Sequence, residues 1–281
     1  MDSVSFHEVA KDFKAVFIDS YGVLKNHKGI IKGVQNTIDY IRKQDIALRV
    51  LTNDASRSQK QQIESFEELG LKGIQEEEII TSGMLAKQFL ELKIKTGSVA
   101  YLGTKNSAEY IIQNGMRQMP VSKIDLDDLD DLTAFAFLDD EGFDWHHDIN
   151  KTVNILRRKN MPVLVANSDK YYPTSSNDVA VAIGGLSRLI ESVLNQKFIR
   201  FGKPDSQMFM YAFEDLNRFG KYAKSDVLMV GDTLHTDILG GNKFGLTTML
   251  VLSGNTRPDN VNLKINSTGI IPDYVSDSIL Y

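Results

Sequence analysis

Residues Ala15 to Leu24 read AVFIDSYGVL: four apolar residues, a carboxylate at Asp19, and a glycine three positions further on. A short run rich in Val, Ile and Phe, bounded by turn residues, reads as a buried strand, and Gly22 permits a tight turn with close backbone approach to a ligand. Similar runs recur. Ile46 to Leu51 (IALRVL) leads into Thr52-Asn53, Asp226 to Val230 (DVLMV) leads into Gly231-Asp232, and Leu246 to Val251 (LTTMLV) follows. Amphipathic stretches such as Val34 to Arg42 and Ser58 to Leu69 lie between them. The alternation predicts βαβ units and a parallel sheet, so the fold class is α/β. The carboxyl ends of parallel strands share one edge, where open α/β folds bind their ligands. Polar residues far apart in sequence therefore converge on one crevice.

The chain has 281 residues, 42% hydrophobic and 25% charged, long enough to bury a core in each of two units and too apolar for disorder. Residues 83–196 carry strand candidates at Ser98 to Leu102, Thr133 to Leu138, Pro162 to Ala166 and Val179 to Ile183, with helices at Ser107 to Asn114 and Ile149 to Arg158. They read as an inserted domain, leaving 1–82 and 197–281 as the first. The charge run Ile124 to Leu132 (IDLDDLDDL) reads as a solvated turn. Thirty-two Lys and Arg against 37 Asp and Glu give a net charge of -5, the wrong sign for a phosphate-backbone surface, so nucleic acid is not an expected partner. The absence of cysteine removes disulfides, thiolate nucleophiles and Cys-ligated zinc. Apolar runs such as Met249 to Leu252 fall far short of the ~20 residues that span a bilayer, and Met1 to Ala10 has no apolar leader. No membrane partner and a cytoplasmic location are expected.

The strand ends carry the chemistry. Asp232 ends one strand, and Asp237, in Val230 to Leu239 (VGDTLHTDIL), falls near the first turn of the helix that follows. Facing Asp19 across the crevice, these carboxylates repel one another unless a cation sits among them. An all-oxygen set suits Mg²⁺. Thr52 offers a hydroxyl and Asn53 an amide, with Asp54 next in line, and the helix start near Arg57 offers backbone N–H groups for phosphate. Lys203, in Phe201 to Pro204 (FGKP), is a point charge on a braced loop. An Asp at a strand end also serves as a turn residue or helix cap, and a loop Lys is ordinarily solvated.

In order, Asp19-Ser20-Tyr21-Gly22-Val23, Thr52-Asn53, Gly202-Lys203-Pro204 and Gly231-Asp232 with Thr236-Asp237 resemble the four motifs of the haloacid dehalogenase-like hydrolase superfamily. The insertion between the second and third is similar to the C2 type IIA cap of the NagD-like, nitrophenylphosphatase-like branch. Val165 to Asp169 (VANSD), Ala182 to Leu186 (AIGGL) and Pro272 to Val275 (PDYV) also resemble that branch. The resemblance implies a Rossmann-like core with an inserted α/β cap, and a phosphatase acting on a small phosphorylated metabolite through an aspartyl-phosphate on Asp19. It further implies Mg²⁺ held by Asp19, Asp232, the carbonyl of Tyr21 and Asp237, with Thr52, Asn53, Asp54 and Lys203 binding the phosphoryl group. Cap-mediated dimers occur in this branch, and a homodimer through the cap is one assembly open to this chain.

One position departs from the pattern. Phosphatases of the superfamily carry a second Asp two residues after the nucleophile as general acid and base, and here that position is Tyr21. Such help is typically worth about 10²–10⁴-fold, and a phenol with a pKa of about 10 is a poor base at neutral pH. Weak turnover, a phospho-ligand-binding protein without turnover, and a carbon–halogen hydrolase, whose family pattern has Asp-x-Tyr-Gly here, are the readings this leaves. His27 and His235 are the imidazoles near the motifs. In the insertion, Asp139 to Phe143 and Trp145 to His147 follow a strand where the branch places specificity loops.

Overall fold

Every strand-end motif of the first unit sits on one sheet, whose strands run in the order Tyr274–Ser276, Thr247–Val251, Val227–Gly231, Ala15–Asp19, Ala47–Thr52 and Ile79–Thr81. The pairings registered across its first five strands are all parallel, with Ile18 opposite Val230 and Asp19 opposite Leu51. Asp19, Thr52 and Gly231 therefore end on the same edge. The computed structural model describes residues 3–94, 96–112, 116–175 and 178–280. The first unit holds the chain up to Thr52, Gln59–Ile80 and the chain from Lys203 onward, and the second holds Asn53–Ser58 and Thr81–Gly202. The second unit thus extends past 83–196 at both ends and takes in a short piece directly after Thr52.

Alternation along the strands builds the core of the first unit. Val16, Ile18, Leu48, Val50, Leu228, Val230, Met249 and Val251 belong to one buried cluster, with Val34, Ile38 and Ile41 of the helix Val34–Lys43 packed into it. Residues i and i+2 share a face of a strand, and i, i+4 and i+7 share a face of a helix. Burying each such side chain is worth about 1.5–3 kcal/mol. Arg49 interrupts the apolar run of its strand and is still buried: its Nε donates to Asp215 Oδ2 at 2.9 Å and its Nη1 to the Leu48 carbonyl at 2.8 Å. Asp215 lies on the helix Ser206–Leu216, so the charge in the strand is paired. The sequence reading omits the strands Ile79–Thr81 and Tyr274–Ser276 and the helix Phe6–Ala10, all short.

The second unit has its own parallel sheet, ordered Ile199–Arg200, Val163–Val165, Leu132–Phe137, Ser98–Leu102 and Arg117–Pro120. Helices Ser82–Lys93, His147–Arg158 and Ile183–Leu194 belong to it. Val179–Val181 is not a strand of this sheet: it pairs antiparallel with Tyr171–Pro173 as a separate ribbon, and Ile183 opens a helix. The stretch Ser107 to Asn114 is helical over Glu109–Ile112, and residues 113–115 lie outside the described residues. The run 124–132 is only partly solvated. Ile124, Leu129 and Leu132 enter the core while the aspartates between them stay exposed.

Candidate active site

Asp19 is the last residue of its strand, and the chain turns at once: Leu24 N–H donates to Ser20 O at 2.9 Å and Gly22 N–H to Lys25 O at 2.7 Å. Gly22 has φ +86°, and a Cβ there would fall 2.0 Å from Asp232 Oδ2. The turn passes close under the carboxylate that ends the neighbouring strand, which only glycine allows. Asp232 is fixed by Thr233 Oγ1, which donates to Oδ1 at 2.8 Å, and by Asn255 N–H, which donates to Oδ2 at 2.7 Å. Asp237 lies in a π-helical turn, Leu234–Ile238, that runs into the helix Leu239–Phe244. Its Oδ2 accepts Thr233 N–H at 3.1 Å.

Lys203 is 2% exposed, far from the solvated loop residue that its position in sequence suggests. Its Nζ lies 2.6 Å from Asp19 Oδ1 and 2.7 Å from Asp237 Oδ1, and donates to the Leu51 carbonyl at 2.8 Å. Three acceptors match the three N–H bonds of an ammonium. Asp19 Oδ1 also accepts Ser20 N–H at 2.7 Å, while Asp19 Oδ2 has no donor among the described residues.

Asp19, Asp232 and Asp237 each place an oxygen within 4.8 Å of the others, and all three are buried. Burial pushes Asp232 up to about 7, helped by Asp237 and opposed by its donors Asn255 and Thr233. Burial likewise raises Asp19 well above the usual carboxylate range, against the pull of Lys203. Burial opposes the charge on Lys203, yet Asp19 and Asp237 outweigh it and hold the ammonium above its ordinary value. One buried cation facing three carboxylates leaves an excess of acceptors. Among the described residues Asp237 Oδ1 has no hydrogen-bond donor beyond its ion pair, and the bonds described for the Asp19 carboxylate all fall on Oδ1. This all-oxygen set fits a small hard divalent cation.

The remaining candidates are placed as follows. Tyr21 is half-buried; burial, reinforced by the Asp232 charge, raises its phenol, against the backbone N–H of His27. The phenol is neutral at pH 7. His27 and His235 are both exposed. Thr52 is buried at the end of its strand. Asn53 and Asp54 fall in the second unit, where Asn53 Nδ2 donates to Asp169 Oδ1 at 2.9 Å and Asp54 Oδ1 accepts Ser56 N–H at 2.8 Å. The 139–147 loop is anchored as well: Thr104 Oγ1 donates to Asp139 Oδ2 at 3.0 Å and Tyr172 OH to Asp140 Oδ2 at 2.9 Å. Trp145 Nε1 donates to the Asp140 carbonyl at 3.2 Å, while His146 and His147 are exposed.

Known proteins resemble this chain in sequence and fold. A family model described as haloacid dehalogenase-like hydrolase matches residues 16–117, and a HAD-hydrolase-like model matches residues 200–280. A crystal structure from Cytophaga hutchinsonii, described as a possible sugar phosphatase of the HAD superfamily, is 50% identical, with a TM-score of 0.97 over 100% of this chain and 99% of that one. The chain belongs to the haloacid dehalogenase-like hydrolases. Chronophin of Rattus norvegicus is 25% identical over 98% of this chain and 88% of its own. NagD from Escherichia coli K-12 shares the fold, with a TM-score of 0.75 and 22% identity over 95% of this chain and 97% of that one. This haloacid dehalogenase-like hydrolase shares with NagD the fold of an α/β core with a second α/β unit inserted. The motif reading missed residues 253–256, whose contacts with Gly22 and Asp232 give no signal in a stretch of small polar residues. Among the described residues no helix is long and apolar enough to cross a membrane.

Proposed function

We propose that this hydrolase is a Mg²⁺-dependent phosphatase of small phosphorylated metabolites that works through an aspartyl-phosphate on Asp19. The observation that carries the reading is the asymmetry of the Asp19 carboxylate, with Oδ1 tied to Lys203 and Ser20 N–H and Oδ2 open. Asp19 Oδ2 attacks phosphorus, the bond to the departing alcohol oxygen breaks, and that oxygen takes a proton from solvent water. Water then attacks the phosphorus of the aspartyl-phosphate, releasing inorganic phosphate and returning Asp19. Lys203 orients Asp19 and pulls it toward its ionised form against the effect of burial. Asp19, Asp232, Asp237 and the Tyr21 carbonyl would hold Mg²⁺, which would supply positive charge to offset that of the phosphoryl group. Thr52 is proposed as a phosphoryl contact. Asn53 and Asp54 are not drawn on, since their described bonds lie within the second unit.

The test is phosphate release from a panel of phosphate esters with Mg²⁺ and with EDTA, set beside halide release from 2-haloacids. Mg²⁺-dependent phosphate release is expected. Halide release that survives EDTA, with no phosphate release, favours the carbon–halogen alternative that Tyr21 raises, and no turnover of either kind favours the ligand-binding alternative.

A neutral phenol at position 21 takes no proton from water at neutral pH. Tyr21→Asp is therefore expected to raise kcat by about tenfold or more, since a positioned acid–base group is typically worth 10²–10⁴-fold. An unchanged or lower rate in a folded variant rejects the idea that position 21 limits turnover.

The raised Asp232 has a second consequence. A carboxyl whose folded pKa lies above its unfolded value contributes stability that is present below the unfolded value and is lost as pH rises through about 7. The metal-free fold should weaken over that window, and Mg²⁺ should relieve the loss. Mg²⁺ at about 100 times its Kd contributes ~2.7 kcal/mol, or about 5–10 °C in Tm. That shift is expected near ~pH 8 and should be much smaller near ~pH 5, where protons compete for the carboxylates. Thermal melts with Mg²⁺ and with EDTA at both pH values decide the point, and equal shifts reject it.

A further inference from the structure

We infer that residues 253–256, acting through Asn255, position Asp232 for cation binding; the inference rests on the metal-dependent reading above. Asn255 reaches Asp232 twice. Its backbone N–H donates to Asp232 Oδ2 at 2.7 Å, and its side-chain Nδ2 donates to Thr233 Oγ1 at 2.9 Å. Thr233 Oγ1 lies 2.8 Å from Asp232 Oδ1. A hydroxyl has one proton, so accepting from Asn255 commits the Thr233 proton to Asp232. Each oxygen of Asp232 thus receives one donor and keeps a lone pair for a cation.

The same loop holds the other side of the site. Ser253 Oγ donates to the Gly22 carbonyl at 2.7 Å, and Thr256 N–H donates to the Asp232 carbonyl at 3.2 Å. Gly254 makes the approach feasible: a Cβ there would fall 1.9 Å from Asp232 Oδ2 and 2.7 Å from Gly22 Cα. Lys264, on the helix Val261–Thr268, donates from Nζ to the Asn255 carbonyl at 2.9 Å and so ties the loop to a regular element. Asn255 is a positioning residue whose side chain acts on Asp232 through Thr233.

Partners of metal ligands typically change metal affinity about 10–100-fold when removed. The experiment is calorimetric titration of Mg²⁺ into the full chain near ~pH 8, which reads binding without turnover. Asn255→Ala and Thr233→Val should each weaken Mg²⁺ about 10–100-fold. The double variant should be no weaker than the worse single one, because both cut the same relay. Thr233→Ser keeps the hydroxyl and should bind within about threefold of the native chain. Asn255→Ala that melts near the native temperature in EDTA yet binds Mg²⁺ within about twofold of native overturns the inference, as do losses that multiply in the double variant. Should Asn255→Ala fail to fold, the Thr233→Val and Thr233→Ser pair decides, and equal affinities overturn it. Native protein with no saturable Mg²⁺ binding overturns the metal-dependent reading itself, whereas native binding with unaffected variants overturns the positioning role alone.

Discussion

Asp19→Asn is expected to lower phosphate release by about 10⁴-fold or more while leaving a folded protein, because it removes the attacking carboxylate, which is also a proposed metal ligand. The amide has nearly the shape of the carboxylate, so Ser20 N–H and Lys203 still find an acceptor at Oδ1. Removing one of three buried carboxylates also eases their mutual repulsion. Burial holds Asp19 well above the usual carboxylate range, so its ionised form weakens the metal-free fold, and the variant should melt no lower than the native chain in EDTA near ~pH 8. The two readouts move independently. A collapse in turnover at unchanged or higher Tm marks a chemical role, and turnover within about tenfold of native removes Asp19 as nucleophile.

Lys203→Met should act on stability as much as on rate. The ammonium is 2% exposed and is the positive partner of both Asp19 and Asp237. Removing one partner of a buried ion pair typically costs about 3–5 kcal/mol, which corresponds to a fall in Tm of about 6–20 °C. The sign with pH follows from the carboxylates. Without Lys203 the Asp19 carboxyl rises further, so the defect grows as pH increases through neutrality and shrinks near ~pH 5, where Asp19 binds a proton. Chemical denaturation in EDTA at the two pH values measures this. Lys203→Arg should not restore the fold, because a planar fork cannot replace a compact ammonium with three converging acceptors. A pH-independent loss, or rescue by Arg, rejects the assigned charge balance.

The strands that carry the site were legible because each apolar run stops on a polar residue, and parallel pairing brings those stops to one edge. Asp19 and Asp232 follow from that rule, and Asp237 from the helix start just after the second of these strands. Lys203 does not: a lysine in a loop is solvated by default, and its burial depends on three acceptors supplied by three separate elements. Arg49 is opaque for the same reason, since its partner Asp215 lies 166 positions away. The ribbon at Val179–Val181 shows what alternation leaves open, because a two-residue period is common to a sheet strand and an isolated hairpin. Asn255 was invisible because its contribution comes through a backbone N–H and a relay via Thr233, neither of which has a spacing signature.

Gly22 and Gly254 both close on Asp232 with no side chain between them, so the floor of the site is main chain, while the residue just before Gly22 is proposed to serve the metal through its carbonyl, which a change of side chain retains. A lineage built on this turn can exchange its proton-handling group at position 21 in one substitution, altering rate and reaction type without rebuilding the scaffold beneath. The glycines have no such latitude. Directed evolution of this chain should therefore spend its diversity at Tyr21 and leave positions 22 and 254 fixed.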